Sequence, residues 1–598
     1  MLLSNPGRLS EHTDPTLPTP PGAAVEILRR AQAGQAVIQD FCPLADSIEW
    51  ELGQKYLQER GNRAFISDAV PVPFAINNDG NFSAHAAELL FTSLLHDPHT
   101  LGDEIYVLEI GVGIGLFAKF FLDHFRELCL QRGADFYDRL CYIAGDYSEK
   151  MLLDLGRSGV LSGHLGHYRL RVVDALQPVP SLEGEIGTGK ERPGLRAVFL
   201  NYVLDCLPVA VLDFRDQAVK QLCVRTCLAR GVNLEEYSDL TLEDLAARAS
   251  SRDARVRHEL LDLSDLFVAE YDFRSRETRD LPYADFIGEF GNRQRGCMVH
   301  NYGALQSLEL LLPLLHDRGF VLINDYGTAE VEKAVAGFQH QRYSGATCVG
   351  LNFGLLKEYF GTSQKCGWFE PVEDNPNIHS RLLGREVGGE VVERFQHLFS
   401  KANFDGVRAP QQAARGFVQA QQFEAAVTAY QEALLRQPYN WMLLDEVASF
   451  LVHNLAEFPA ALEMARAALR LNPTCSWRLW DTAGNCLFCL GRMDEARKAF
   501  LRAIKINPND VRVRFNLARI YALDKQYEAS LDEIAKGLAI DRDGAYRQAF
   551  LNKHAEVLTH LAQRQTQAAR RLRNRIRRLG PPPALDGFID VEIGRAHV

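Results

Sequence analysis

No stretch of the chain approaches the ~20 consecutive apolar residues that a membrane-spanning helix needs. The N-terminus also lacks the short apolar core of a secretory signal peptide. An excess of basic charge is missing too, since the net charge is −11 and the sequence pI is about 5.9. An acidic surface attracts neither nucleic acid nor anionic lipid. These absences predict a cytoplasmic protein with no nucleic-acid or membrane partner.

The twelve cysteines form no disulfide framework, because they are scattered singly or in loose pairs. Cys486 and Cys489 lack a second pair and lie in a helical pattern, so they do not indicate a zinc or redox motif. We therefore predict reduced thiols and no metal-binding residues.

The length of 598 residues exceeds the roughly 250–300 residues that a single core usually reaches, so at least two domains are expected. Apolar residues make up 46% and charged residues 24%, which is ordinary for globular domains and allows each to bury a core. Residues 1–22 are rich in proline, serine and threonine and are predicted to be disordered.

The most informative stretch, Glu104–Phe117, combines a short apolar run with three glycines. Residues 105–110 have the length and composition of a buried parallel strand, and residues 116–125 have the apolar spacing of a helix. Glycines at such a turn let the backbone bend tightly and approach a ligand, while free N–H groups at the helix start attract an anion. The stretch therefore predicts a nucleotide-type site.

The spacing of the glycines distinguishes between nucleotide cofactors. A dinucleotide fingerprint has Gly-x-Gly-x-x-Gly, whereas this chain has Glu109-x-Gly111-x-Gly113-x-Gly115, with Leu116 at the third glycine position. This pattern favours S-adenosylmethionine over NAD. It resembles the first motif of class I S-adenosylmethionine-dependent methyltransferases, whose loop holds the methionine end of the cofactor. A glycine-rich turn without a ligand is the alternative.

Two carboxylates follow the next two predicted strands. Asp146 ends the predicted strand 140–146, where an acid accepts hydrogen bonds from ribose hydroxyls in doubly wound folds. It is equally placed to cap the next helix. Asp174 follows the predicted strand 168–173, where it is placed either to meet the adenine amino group or to form a simple turn. Together with Glu109 and the three glycines, these aspartates are predicted to bind the cofactor.

A second group of polar residues follows the predicted strands 195–200 and 318–324. The carboxyl ends of central strands in a doubly wound sheet face the ligand crevice. This position makes Asn201 a candidate cofactor-binding residue and makes four further residues candidate catalytic residues: Tyr202, Asp205, Asp325 and Tyr326.

The two segments that carry these residues resemble the MidA family of class I methyltransferases. The first reads Asn-x-hydrophobic-hydrophobic-Asp-x-Leu-Pro-Val from Asn201, and the second ends in Asp-Tyr-Gly at residues 325–327. The resemblance spans roughly Tyr56 to Phe369 and implies an α/β Rossmann-like methyltransferase domain with a mostly parallel sheet. The family includes mitochondrial protein arginine methyltransferases needed for respiratory complex I assembly.

One departure from the family pattern matters, because the family usually has glutamate where this chain has Tyr202. A carboxylate suits a guanidinium, since it offers paired acceptors to a planar fork of donors. The departure weighs against arginine as the methyl acceptor.

The methyltransferase domain is predicted to cover residues 23–371. Within it, residues 23–60 have a helical pattern, and residues 212–296 form a charged helical insertion that is placed either as a cap over the substrate or as a solvated decoration. Residues 372–409 are predicted to be a linker with some helix.

After residue 409 the sequence pattern changes to paired helices that repeat. Pro438, Pro473 and Pro508 are 35 residues apart, and each follows an alanine-rich helix. The unit that contains Trp480 and Pro508 has tetratricopeptide offsets, which predicts an all-α tetratricopeptide-repeat solenoid over residues 410–579. Residues 580–598 form a tail, whose last seven residues back-translate to a sequencing adapter and are interpreted as an assembly scar.

Three functions fit this organisation. The first is an S-adenosylmethionine-dependent methyltransferase that modifies a protein or peptide, with arginine among the candidate acceptors, recruited by the repeats. The second is a small-molecule methyltransferase whose repeats mediate docking or dimerisation. The third is a non-catalytic scaffold, against which the intact glycine loop and Asp146 argue.

Overall fold

The computed structural model describes residues 34–61, 79–97, 104–183, 194–215, 218–329, 340–343, 346–362, 366–376, 378–473, 476–541 and 544–580. The segments predicted to be a disordered N-terminus and an assembly scar lie outside the described residues. The chain divides into two compact units, residues 1–455 with 466–475 and residues 456–465 with 476–598. Within the described ranges, no helix is long and apolar enough to cross a membrane.

The first unit combines two larger sheets with surrounding helices. Its strands are, in chain order, β1 (Gly34–Pro43), β2 (Ile105–Ile110), β3 (Leu140–Asp146), β4 (Tyr168–Val172), β5 (Leu195–Asn201), β6 (Ala210–Asp213), β7 (Lys220–Ala229), β8 (Phe267–Ser275), β9 (Cys297–His300), β10 (Leu315–Asp325), β11 (Gly327–Thr328), β12 (His340–Tyr343), β13 (Ala346–Val349), β14 (Leu351–Asn352), β15 (Gly367–Phe369) and β16 (His379–Gly384).

The helices of the first unit lie between these strands and continue beyond the last of them. They are Ile48–Arg60, Asn81–Leu95, Leu116–Arg132, Glu149–Ser158, Pro178–Ser181, Leu242–Ala249, Ala254–His258, Ala284–Gln294, Tyr302–Leu311, Phe353–Thr362, Gly389–Leu398, Lys401–Gln419, Phe423–Arg436 and Trp441–Phe450. The helix Phe458–Leu471 contains residues of both units.

The central sheet has seven strands in the order β15-β16-β10-β5-β2-β3-β4. Strands β10, β5, β2, β3 and β4 run parallel, and β16 runs antiparallel to both of its neighbours. The chain starts in the middle at β2, adds β3 and β4 on one side, and then crosses to β5 on the other. This reversal is the switch point at which doubly wound folds bind ligands. The predicted Rossmann-like, mostly parallel sheet is confirmed.

Both faces of this sheet are buried, as the apolar runs of its strands predict. Along β5, Ala197 and Phe199 point into one cluster, with Phe117 and Phe121 of the helix that follows the glycine loop. The alternate residues of β5 point into the opposite cluster. Helices on both faces therefore hold the strand ends in fixed positions.

The predicted helical insertion at 212–296 is wrong in its secondary structure. Its longest strands are β7 and β8, which pair antiparallel from Lys220–Ser275 to Leu228–Phe267. Strand β1, which lies within the segment predicted to be helical at 23–60, pairs with the other edge of β7. Short helices, among them Leu242–Ala249 and Ala284–Gln294, connect the strands. Because β1 and β7 are almost 190 residues apart, local periodicity did not reveal their pairing.

The predicted domain end at 371 and linker at 372–409 also differ from the structure. Strand β16 falls inside the predicted linker, yet it is completely buried and pairs with β10. Residue 410 lies within the helix Lys401–Gln419, and Arg408 of that helix forms a 2.9 Å ion pair with Asp79. The Tyr439 ring lies 5.7 Å from that of Phe120. The first predicted repeat helices therefore pack on the α/β core.

The second unit is built from paired helices, as predicted. Its complete helices are Trp477–Cys489, Met493–Ile506, Val511–Leu523, Tyr527–Ile540 and Arg547–Leu579. A Cβ atom on Gly484 would lie 2.6 Å from the Phe500 ring, and one on Gly537 would lie 2.1 Å from the Phe550 ring. Glycine at these positions lets neighbouring helices approach closely, which explains the small residues of the repeat pattern.

Candidate active site

The predicted site residues lie at the carboxyl ends of four parallel strands. The glycine loop follows β2, Asp146 ends β3, Asn201 ends β5 and Asp325 ends β10. Because Asn201 and Asn324 are direct partners in the parallel pairing of β5 and β10, the segments that follow these strands leave the sheet side by side. The fold therefore gathers residues more than 200 positions apart at the switch point.

The glycine loop adopts a conformation that favours glycine. Gly111, Gly113 and Gly115 all have positive φ, at 78°, 52° and 78°. A Cβ atom on Gly111 would lie 2.6 Å from a methyl group of Val203, and one on Gly115 would lie 2.5 Å from Leu155. Backbone conformation and packing both exclude larger residues at these two positions.

Asp146 is held by the loop that it faces. One carboxylate oxygen accepts a hydrogen bond from the Gly113 N–H at 3.1 Å, and the other accepts one from the Ser148 N–H at 2.9 Å. Burial raises the pKa of Asp146, while these N–H groups oppose the shift. The expected helix cap is provided by Ser148, which accepts a hydrogen bond from the Met151 N–H. Asp146 therefore joins the glycine loop to the end of β3.

Glu109 lies beneath the loop and is almost fully buried, with 1% of its surface exposed. It accepts a 2.8 Å hydrogen bond from the Tyr142 hydroxyl. Burial raises the pKa of Glu109 to about 8, against the opposing effects of Tyr142 and Asn201. The Asn201 side-chain oxygen accepts a 2.9 Å hydrogen bond from Asn324, while its buried Nδ2 makes no hydrogen bond among the described residues.

Asp174 makes no hydrogen bond to the other predicted cofactor-binding residues among those that the structure describes. Its carboxylate accepts a 2.8 Å hydrogen bond from the Leu176 N–H, and its own N–H donates to the Ser181 hydroxyl. These contacts match the turn alternative. Its expected contact with adenine stays a prediction.

Tyr202 occupies a strained position directly after β5, with φ of +54°. Its N–H donates to the carbonyl of Asn324, and its ring stacks on that of Tyr326, with centroids 4.9 Å apart and planes inclined by 19°. A positive φ is uncommon for an aromatic residue, and such strained conformations cluster at functional sites. The two candidate tyrosines thus form one aromatic pair.

Asp205 and Asp325 form a buried pair of carboxyl groups. Asp325 is fully buried and accepts hydrogen bonds from the N–H groups of Leu204, Asp205 and Tyr326. Burial and the charge of Asp205 raise the pKa of Asp325 well above its usual range. Burial also raises the pKa of Asp205, to about 6, while the thiols of Cys206 and Cys348 oppose the shift. Burial thus favours the protonated form of both acids, and it does so most strongly for Asp325.

Several residues at the site were not singled out from the sequence. Tyr142 lies inside a buried strand, and only its hydroxyl contact with Glu109 reveals a role. Asn324 directly precedes Asp325, so its position at a strand end was a usable signal. Cys348 is on β13, and nothing in its local sequence connects it to Asp205.

The raised pKa of Glu109 leads to a prediction about stability. A carboxyl group whose pKa is about 8 in the folded chain and near 4.5 when unfolded stabilises the fold most below pH 4.5, and this contribution is lost as pH rises to 8. We expect Glu109→Gln to raise the free energy of unfolding at pH 8 by on the order of 3 kcal/mol, with little change at pH 4.5. Denaturant titrations between pH 4.5 and 9 measure the difference.

The control for this prediction is Glu235→Gln, which removes a carboxylate from an exposed position. Its effect should stay within about 0.5 kcal/mol at every pH. A difference between Glu109→Gln and the wild type that did not vary with pH would contradict the assigned protonation of Glu109.

Comparison with known proteins gives two kinds of match. The tetratricopeptide-repeat family matches residues 477–510 and 499–532. No curated protein sequence matches the chain. Among solved structures, a COG1565 superfamily member from Burkholderia thailandensis bound to S-adenosyl-homocysteine is 14% identical with a TM-score of 0.37, and the match covers 63% of this chain and 94% of that one.

Other solved structures resemble one part of the chain or the other. A second COG1565 superfamily structure from Burkholderia thailandensis is 14% identical with a TM-score of 0.33, over 58% of this chain and 76% of that one. The MamA protein is 17% identical with a TM-score of 0.23, over 27% of this chain and 90% of that one. The strand order and the paired helices described above identify a Rossmann-like domain and helical repeats independently of these likenesses.

Proposed function

We propose that this chain is an S-adenosylmethionine-dependent methyltransferase that modifies a protein or peptide recruited by its repeats. The observation that carries the proposal is the convergence of the glycine loop, Asp146, Asn201 and the Asp205–Asp325 pair at the switch point of a doubly wound sheet. Ligands of such sheets bind in this crevice. The structure of a COG1565 superfamily member with S-adenosyl-homocysteine bound supports the choice of cofactor.

The residues present fit this cofactor. Asp146 is held by backbone N–H groups at the end of β3, where its carboxylate can accept hydrogen bonds from ribose hydroxyls. The positive φ angles of the glycine loop let its backbone approach a ligand closely. The Asn201 side chain acts on the Glu109 carboxyl, whose pKa it lowers, and so helps to hold Glu109 beneath the loop. The loop that would surround the methionine end follows Glu109 and contains three glycines: Gly111, Gly113 and Gly115.

When bound, the cofactor supplies an electrophilic methyl group for in-line displacement. The chain's own residues then have to align the acceptor, exclude water and, for a protonated acceptor, remove a proton. The buried carboxyl group of Asp205 stands at the strand ends where the acceptor would bind. Asp325 orients the Asp205 segment through backbone N–H groups, and the Tyr202–Tyr326 pair supplies an aromatic wall beside it.

The repeat unit supports a macromolecular acceptor. Stacked helix pairs make an extended surface suited to a polypeptide. Between the helices Trp477–Cys489 and Val511–Leu523, Asn516 donates a 3.1 Å hydrogen bond to Asn485 and Arg512 forms a 2.6 Å ion pair with Asp481. These contacts hold the two helices side by side. A peptide that lies along such a surface gains affinity from many weak contacts, whereas a small acceptor does not need an extended surface.

Methyl transfer with and without the repeats tests this proposal. A chain that ends at residue 475 keeps every residue of the first unit, so we expect it to fold and to bind S-adenosylhomocysteine with unchanged affinity. In cell extract with isotopically labelled S-adenosylmethionine, the full chain should label a protein, and the shortened chain should label it at least about tenfold more slowly at low acceptor concentration. Mass spectrometry identifies the acceptor.

The acceptor itself provides the control. A short fragment that contains only the methylated residue should be modified equally well by both chains, because it does not reach the repeats. Equal labelling of the intact protein by both chains would exclude recruitment by the repeats. Labelling confined to small molecules would favour a small-molecule methyltransferase whose repeats serve docking.

A further inference from the structure

Two thiols and one carboxylate meet at the edge of the candidate active site. Asp205 and Cys206 belong to the short 3₁₀ helix Leu204–Cys206 that follows β5, and Cys348 belongs to β13. The Cys206 and Cys348 sulfur atoms are 3.3 Å apart. One ligand atom from each of the three residues lies within 4.8 Å of the others. Two chain segments 142 residues apart thus bring three metal-ligating groups together.

The chemistry of this cluster favours a cation. Asp205 is 3% exposed, and its Oδ1 is buried without a hydrogen-bond partner among the described residues. A buried acceptor without a partner is costly, and a bound cation would satisfy it.

We propose that Asp205, Cys206 and Cys348 bind one Zn²⁺ ion. Zinc accepts thiolate and carboxylate ligands together, and three protein ligands leave a fourth tetrahedral position for water or another ligand. Asp325 does not supply the fourth ligand, because three backbone N–H groups already occupy its oxygens. Binding releases the protons of the two thiols to solvent as the metal–sulfur bonds form. This inference does not depend on methyl transfer.

The distance between the sulfur atoms favours a metal over a disulfide. Two thiolates at about 2.3 Å from one tetrahedral zinc ion lie about 3.8 Å apart, so the observed 3.3 Å contact needs to open by only about 0.5 Å. A disulfide needs the sulfur atoms to close to about 2.05 Å, which is a movement of about 1.2 Å. The sulfur atoms therefore have to move less to bind zinc than to form a disulfide.

The test measures metal binding by the full-length chain without reference to activity. The protein is stripped with a chelator under reducing conditions and titrated with Zn²⁺ and, in parallel, with Co²⁺ as a spectroscopic probe. We expect one tightly bound Zn²⁺ per chain by elemental analysis after gel filtration. The cobalt form should show thiolate-to-metal charge transfer and the intense visible bands of a tetrahedral site.

Three variants assign the ligands. Cys206→Ser and Cys348→Ser should each weaken the thiolate-to-cobalt charge transfer and lower zinc affinity by at least about a hundredfold, beyond the 10–100-fold effect of losing an outer-shell partner. Asp205→Asn should keep the thiolate band but weaken binding. Cys489→Ser, which removes an exposed thiol of the second unit, is the matched control and should bind zinc like the wild type.

Circular dichroism and cooperative thermal unfolding show which variants remain folded. Folded serine variants that bind zinc as tightly as the wild type would overturn the proposal, as would a wild type without stoichiometric zinc. A wild type that binds no zinc when reduced, but loses two titratable thiols with hydrogen peroxide in a Cys206- and Cys348-dependent way, would show a disulfide pair instead.

Discussion

Replacing Gly113 by valine should abolish the binding of S-adenosylhomocysteine. Gly113 has a positive φ of 52°, which a β-branched residue adopts only under strain, and its N–H is one of the two that hold Asp146. A valine side chain would also project from the loop that a ligand must approach closely. We expect the affinity measured by calorimetry to fall by at least about a hundredfold, which corresponds to about 2.7 kcal/mol.

Gly133 offers a matched control for the cost of strain alone. It has a similar positive φ of 63°, at the end of the helix that begins after the glycine loop. A Cβ atom there would meet nothing within 4 Å. Gly133→Val should therefore lower stability by about 1–3 kcal/mol without changing affinity. Equal losses of affinity in the two variants, or none in Gly113→Val, would contradict a cofactor site at the loop.

The second large effect is expected at Arg381 in β16. Its side chain is 1% exposed, donates two hydrogen bonds to Asp374 at 3.0 and 2.7 Å, and lies over the Phe353 ring. Removing Arg381 leaves the Asp374 carboxylate with a weaker remaining partner, the His379 ring at 2.7 Å. Because Asp374 is 28% exposed, we expect Arg381→Met to lower the free energy of unfolding by about 3 kcal/mol, at the low end of the range for buried pairs. Denaturant titration measures it.

Arg385→Met is the comparison for this variant. Arg385 follows the same strand but is exposed, so its replacement should change stability by less than about 0.5 kcal/mol. Similar small effects at both positions would mean that β16 contributes little to the core. A large effect at Arg381 alone would place the end of the α/β domain beyond residue 384.

The site illustrates how far local sequence reasoning reaches. Glu109, the three glycines and Asp146 were found because they stand at fixed offsets from a strand and a helix, and periodicity detects such elements. Asn201 and Asp325 were found because they follow apolar runs. Their meeting across the sheet follows from the parallel pairing of β5 and β10. The hydrogen bonds from Tyr142 and Asn324 were not predicted, because they depend on which strands become neighbours.

The errors have the same origin. Residues 34–43 and 220–229 were expected to be helical, and each became a strand through pairing with a segment almost 190 positions away. β16 was assigned to a linker because its six residues are too few for a periodic signal, yet insertion beside β10 buries all of them. A strand's stability depends on its neighbours, whereas a helix closes its hydrogen bonds within its own segment.

The sequence by itself determined the Rossmann-like order of strands and helices, the glycine loop and the repeat helices, since each depends on spacings within a few tens of residues. Only the tertiary structure decided that β1 pairs with β7 in the second sheet, that β16 joins the central sheet, and that the first predicted repeat helices pack on the α/β core. It also decided the contact of Asp205 and Cys206 with Cys348. These features join distant segments through burial and hydrogen bonding. The hydrophobic periodicity of a single segment does not show which distant segment it will contact.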